Sequence, residues 1–110
     1  MDPILRHHYE NLANGTAVKN EDGSVSTVFT VQVDIDGKPT LIPTVWDGRI
    51  LSEEEAAQRA LNSGIQWPTA NSHEELRNYD VELHKQMQPM SQQEARRFLE
   101  MIKAGKRDNF

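Results

Sequence analysis

Cysteine is absent from this 110-residue chain. Disulfides and cysteine-based zinc sites are therefore excluded, and the fold must stand on packing or on assembly with other chains. Long hydrophobic runs are also missing: no stretch approaches the roughly 20 apolar residues needed to cross a bilayer. The opening residues MDPILRHHYE lack the basic start, apolar middle and small-residue cleavage site of a secretory signal. A soluble protein not exported by that route is expected. Glycine is sparse, and no phosphate-cradling glycine loop, metal-protease histidine pair or calcium-loop spacing occurs.

What is present fits one globular domain. The chain is 36% hydrophobic and 26% charged, and a domain of this size buries about two-thirds of the surface its unfolded chain exposes. The net charge of −5 is uneven, with −8 over residues 1–95 and +3 over residues 96–110. The acidic body should repel nucleic acid. The basic end (Arg96, Arg97, Lys103, Lys106 and Arg107) lacks interleaved aromatics for base stacking, and cations also suit a helix C-terminus.

Residues 1–15 show no sustained period and read as an N-terminal arm, either loosely attached or ordered on a neighbouring subunit. Its adjacent His7 and His8 cannot share a helix face or a strand face, which disfavours a metal site. Residues 16–110 read as a single α+β domain. A short strand over 16–19 and the turn Asn20-Glu21-Asp22-Gly23 lead into a long strand over 24–35. Alternation there puts Val25, Thr27, Phe29, Val31, Val33 and Ile35 on the core face. Asp36-Gly37 is a two-residue hairpin signal. It sets the pairs Ile35 with Lys38, Val33 with Thr40, Val31 with Ile42 and Phe29 with Thr44. Pro39 and Pro43 then point their missing N–H groups outward, which makes the second strand, 38–46, a sheet edge.

Three capping boxes follow: Ser52 with Glu55, Ser72 with Glu75, and Ser91 with Glu94. They start helices over about 52–63, 72–87 and 91–104. The first should bury Ala56, Ala57, Ala60 and Leu61, the second Leu76, Tyr79, Leu83 and Met87, and the third Ala95, Phe98, Leu99 and Ile102. The fold class expected is a small antiparallel β-meander packed against these helices.

No side-chain set points to catalysis. Ser52, His84 and an aspartate could be assembled on paper into a triad, but Ser52 is accounted for as a cap and lacks a nucleophile-elbow pattern. Glu53, Glu54 and Glu55 suit a first helical turn. No catalytic residue, metal or cofactor is assigned. The candidate partner-binding residues are Trp67, Trp46, His84, Arg96 and Arg97: tryptophan is favoured at interface hot spots, His84 stands at the margin of an apolar helix face, and Arg96 and Arg97 belong to the basic end. Trp67, held out of helical geometry by Pro68, is either a core plug or a contact.

The segments NEDGSVSTV (20–28), LIPTVWDGRILSEEEAA (41–57) and ELHKQM (82–87) together resemble a recurrent module of tailed-bacteriophage proteins. The module occurs in internal or structural virion proteins and in small stand-alone phage proteins. Two departures stand out: Gly64-Ile65-Gln66-Trp67-Pro68 replaces a Gly-His-x-Gly-Lys-Phe-like stretch, and the helix over 91–104 lies outside the match. The resemblance implies a non-enzymatic, virion-associated structural protein whose partners are other virion proteins or copies of itself. The alternative is a small regulator or inhibitor of a host defence protein, acting in the host cytoplasm.

Overall fold

The computed structural model describes residues 1–108, with side chains described through Ala104. It is an α+β fold. The elements are α1 (Pro3–Asn14), β1 (Val18–Lys19), β2 (Val25–Ser26), β3 (Thr30–Ile35), β4 (Lys38–Pro43), β5 (Val45–Trp46), β6 (Arg49–Ile50), α2 (Glu53–Asn62), α3 (His73–Gln86) and α4 (Gln92–Asp108).

The hairpin at the centre has the register set by its turn. Ile35 pairs with Lys38, Val33 with Thr40, Val31 with Ile42 and Thr30 with Pro43. Asp36 and Gly37 have φ of 52° and 78°, the positive values a type I′ turn needs. The same device recurs at Asp47 and Gly48, with φ of 54° and 78°, closing the β5–β6 hairpin. The short strand expected at 16–19 is β1, paired with β2.

Above Thr30 the expected long strand breaks, and this corrects its face assignment. Phe29 adopts φ 40°, and Thr44 N–H bonds the carbonyls of both Val28, at 2.8 Å, and Phe29, at 3.3 Å. Two residues thus oppose one, a bulge that shifts the alternation by one residue. Val28 enters the core, while Phe29 and Val25 are exposed. The expected single meander is instead three two-stranded ladders among the described residues.

A second correction concerns the edge. Leu41 N–H donates to Pro68 O at 2.9 Å, and Ala70 N–H donates to Pro39 O at 3.2 Å. The outer side of β4 is therefore occupied by the chain's own 68–70 segment, with Thr40 bridging Thr69. The prolines sit where no N–H is required, as their register implies.

Both faces of β4 are covered. Leu41 shares a face with Thr30, Gln32 and Asp34. The Thr30 hydroxyl donates to Asp80 of α3 at 2.8 Å, and Gln32 and Asp34 lie 2.7 and 3.0 Å from the ring nitrogens of His73. Ile42 lies on the opposite face with Thr40 and Ile35 and shares the core cluster with Ala56 and Ala60 of α2, while Thr40 and Ile35 line a groove with Ala60 and Leu61. Leu41 and Ile42 are both fully buried, each contributing about 1.5–3 kcal/mol of hydrophobic stabilisation.

Two of the helix starts form the full capping box, Ser52 with Glu55 and Ser91 with Glu94. At α3 the Ser72 hydroxyl accepts from Glu75 N–H, while the Glu75 carboxylate accepts from Asn71 N–H, one residue earlier than the box requires. Leu61 and Tyr79, expected inside, are exposed. Helix α4 continues through Gly105 to Asp108, past its expected end. The side chains of Lys106 and Arg107 lie outside the described residues.

The N-terminal arm is the largest correction. Residues 3–14 form α1, capped by the Asp2 carboxylate, which accepts from Ile4 N–H at 2.7 Å, and ended by Gly15 at φ 69°. The helix packs mainly against α4, with Tyr9 and Phe98 ring centroids 4.6 Å apart. Ile4 joins the central core and is fully buried. The Tyr79 hydroxyl also bonds the Asp2 carboxylate, tying α3 to the α1 cap.

Candidate protein-contact surface

Polar side chains on the inner face of α1 organise the region where the two tryptophans meet. His7 Nε2–H donates to Val45 O at 2.7 Å, and Asn11 Nδ2 donates to Thr27 O at 2.7 Å and to Val45 O at 3.2 Å. These bonds satisfy carbonyls left unpaired where the strands break. Burial pushes the His7 imidazole below its ordinary value, so it sits there neutral.

Around the His7 ring the aromatic residues cluster. Its centroid is 4.5 Å from Trp46 and 6.1 Å from Trp67, and the two indoles are 6.2 Å apart. Trp46 Nε1–H donates to Pro43 O at 3.0 Å, and Trp67 Nε1–H donates to Ala60 O at 3.2 Å. Both indole donors are thus spent inside the fold. The Arg59 guanidinium lies 5.0 Å from the Trp46 ring and is paired with Asp47 at 2.5 Å, so it covers the ring from outside.

Trp67 is buried, but its edge lines two grooves. One, of about 420 Å³, lies between the hairpin and α2 and includes Ile35, Leu61 and Ile65. The other, of about 220 Å³, lies against α1 and includes Met1, Pro3, His7 and Ile65. Ile65 borders both and is 45% exposed, next to Leu61 at 56%, which makes this an apolar surface rather than isolated side chains. The grooves carry few charges, with Asp36 and Lys38 at one rim and Arg6 and Glu10 at the other.

The remaining candidates lie elsewhere. His84 Nδ1 is 2.9 Å from Asp80 O on its own helix and 3.1 Å from Asp80 Oδ1. The ring N–H is directed at the carbonyl, so the carboxylate contact is an ion pair only when His84 is protonated. Arg96 Nε–H donates to Ala13 O at 3.0 Å, and Gln92 Nε2–H donates to the same carbonyl at 3.1 Å, so both close the C-terminus of α1. Arg97 lies beside Met90, Phe98 and Met101 in a shallow apolar groove on α4. The structure brings Trp46 and Trp67 together and leaves His84, Arg96 and Arg97 apart from them.

Sequence reasoning missed His7, Leu61 and Ile65. The signal for Ile65 was present: an apolar residue directly after a helix-stopping glycine, at φ 72° in Gly64, and shortly before Trp-Pro has no buried face reserved for it. His8 is also internal, with Nε2–H donating to Gln88 O at 2.9 Å and Nδ1 accepting from the Thr27 hydroxyl at 2.6 Å. Both its ring nitrogens are occupied, and it faces a different neighbourhood from His7. No protein-family model, curated protein or solved structure matches this chain.

Proposed function

We propose that this chain is a non-enzymatic bacteriophage structural protein, associated with the virion and acting through protein–protein contacts with other virion proteins or with copies of itself. The observation that carries the reading is the ordered set of segments NEDGSVSTV, LIPTVWDGRILSEEEAA and ELHKQM, which resembles the tailed-phage module. Two structural facts support it. The side chains that could have served chemistry are employed otherwise: Ser52 caps α2, His7 and His8 hold α1 to strand and loop carbonyls, and His84 bonds its own helix. The apolar surface at Leu61, Ile65 and the Trp67 edge suits a protein contact better than a small polar substrate.

The test is mass spectrometry of purified particles from infected cells. Recovery of the chain at stoichiometric copy number is expected, and its absence would sink the proposal. The regulator or inhibitor reading draws support from the acidic body, −8 over residues 1–95. It would take precedence if a pull-down from host lysate recovered a stoichiometric, salt-sensitive partner while particles lacked the chain.

A further inference from the structure

The β3–β4 hairpin has two outer edges, and the chain treats them differently. On β4 the outward positions are Pro39, Leu41 and Pro43, and the 68–70 segment bonds Leu41 N–H and Pro39 O. On β3 the outward positions are Thr30, Gln32 and Asp34, because the two-residue turn makes Ile35, Val33 and Val31 the residues bonded to β4. Among the described residues, no backbone N–H or C=O of Thr30, Gln32 or Asp34 has a protein partner. Their side chains are held over one face of the sheet, by Asp80 and His73, and do not fold across the edge. Neither proline nor lysine blunts this edge, and among the described residues no further strand pairs with it.

We infer that β3 is a strand-addition site whose occupant is β3 of a second copy of this chain, paired antiparallel about a two-fold axis through Gln32. The pairs this register creates favour that occupant. Gln32 meets Gln32, Thr30 meets Asp34, and Val31 meets Val33 of the second copy. Valine faces valine, and no like charges stand directly opposite on the two strands. This axis alone uses all three outward residues in hydrogen-bonded pairs, because axes through Val31 or Val33 run an outward residue against Val28 at the bulge or Asp36 in the turn. Centring on Asp34 sets two carboxylates against each other, and centring on Thr30 runs Gln32 against Val28, inside the bulge. The product is a continuous sheet in the order β4-β3-β3-β4, with the same patch contributed by each copy.

The inference goes beyond the proposed function and is tested apart from it, since self-association in dilute solution and presence in particles are separate measurements. Sedimentation equilibrium of the full chain should give twice the chain mass. Added salt should tighten the pair by screening two acidic bodies. Gln32→Pro removes an N–H that points away from β4, the type of position that Pro39 and Pro43 already occupy on β4. This variant should sediment as a monomer with the circular dichroism of the wild type. Because the chain has no cysteine, Gln32→Cys places a single thiol on the axis, where a directly opposed pair with Cα atoms about 5.5 Å apart can form a disulfide. It should oxidise to a covalent dimer, whereas Asn78→Cys on exposed α3 stays monomeric at the same concentration. A monomeric wild type, a dimeric Gln32→Pro variant, or equal cross-linking at positions 32 and 78 would each overturn the pairing. If Gln32→Pro fails to fold, the cysteine pair decides alone.

Discussion

Three buried polar residues of α1 show how much a buried hydrogen bond can replace apolar area. Asn11 donates to Thr27 O and Val45 O and accepts from the Thr16 hydroxyl at 2.8 Å, which fills most of its capacity. Asn11→Ala leaves the Thr27 carbonyl without its donor, while Val45 O keeps the bond from His7, and should cost about 1–3 kcal/mol in urea unfolding, against a near-neutral Asn14→Ala. His7 and His8 carry the pH dependence. Burial is the largest cause holding each below the ordinary value of 6.5, only partly opposed by the carbonyls that accept from them. Between 6.5 and the lower folded values the unfolded chain binds protons that the folded chain refuses, so stability falls as pH drops through that window. Unfolding free energy measured from about pH 7.5 to about pH 5.5 should therefore decline, and His8→Gln should flatten part of the slope. A slope unchanged in that variant would assign the acid sensitivity elsewhere. These roles were hidden from the sequence because adjacent histidines look idle until a helix gives each one a different wall.

Among the elements, those with strong local chemistry formed where their residues indicated. Asp-Gly at 36–37 set the hairpin register, and serine with glutamate at the helix starts set α2 and α4. The bonds from Ser91 that hold the Glu94 carboxyl below its ordinary range are an electrostatic mark of the same device. Ser52→Ala should cost about 1 kcal/mol, read as a lowered midpoint in thermal or urea unfolding. Elements were misread where neighbours overrode local pattern. The bulge at Phe29 depends on Thr44, fifteen residues away, whose hydroxyl donates to Phe29 O at 2.5 Å. Simple alternation along β4 buries one face, yet α2 and α3 cover both. Leu41→Ala and Ile42→Ala should therefore each cost about 2–5 kcal/mol. A mild effect at either position would mean that one helix does not press on the hairpin.

At the scale of the whole molecule, the helix that sequence reading left as an arm completes the core. Removing residues 1–14 would take Ile4 from the central cluster, His7 from between the tryptophans, and the Ala13 carbonyl from Gln92 and Arg96. The truncated chain should lose its cooperative unfolding transition, whereas a dispensable arm would leave that transition in place. The helix was legible in part, since Asp2-Pro3 is a helix start and Gly15 a helix stop. Its buried stripe, however, is Ile4, His7, Asn11 with His8 alongside, which has helical spacing without hydrophobicity. The candidate surface was legible to a similar degree: Trp67 was singled out, but its partners Leu61, Ile65 and His7 come from three elements. By itself, the sequence determined the features that a few contiguous residues decide: turn type, hairpin register, helix caps, the α+β class, and the exclusion of disulfides. Only the tertiary structure decided which faces are covered, where the strand bulges, that residues 3–14 are core, and which edge stays open. Each of those depends on residues far apart in the chain, whose packing and hydrogen bonds outweigh local preference once they meet.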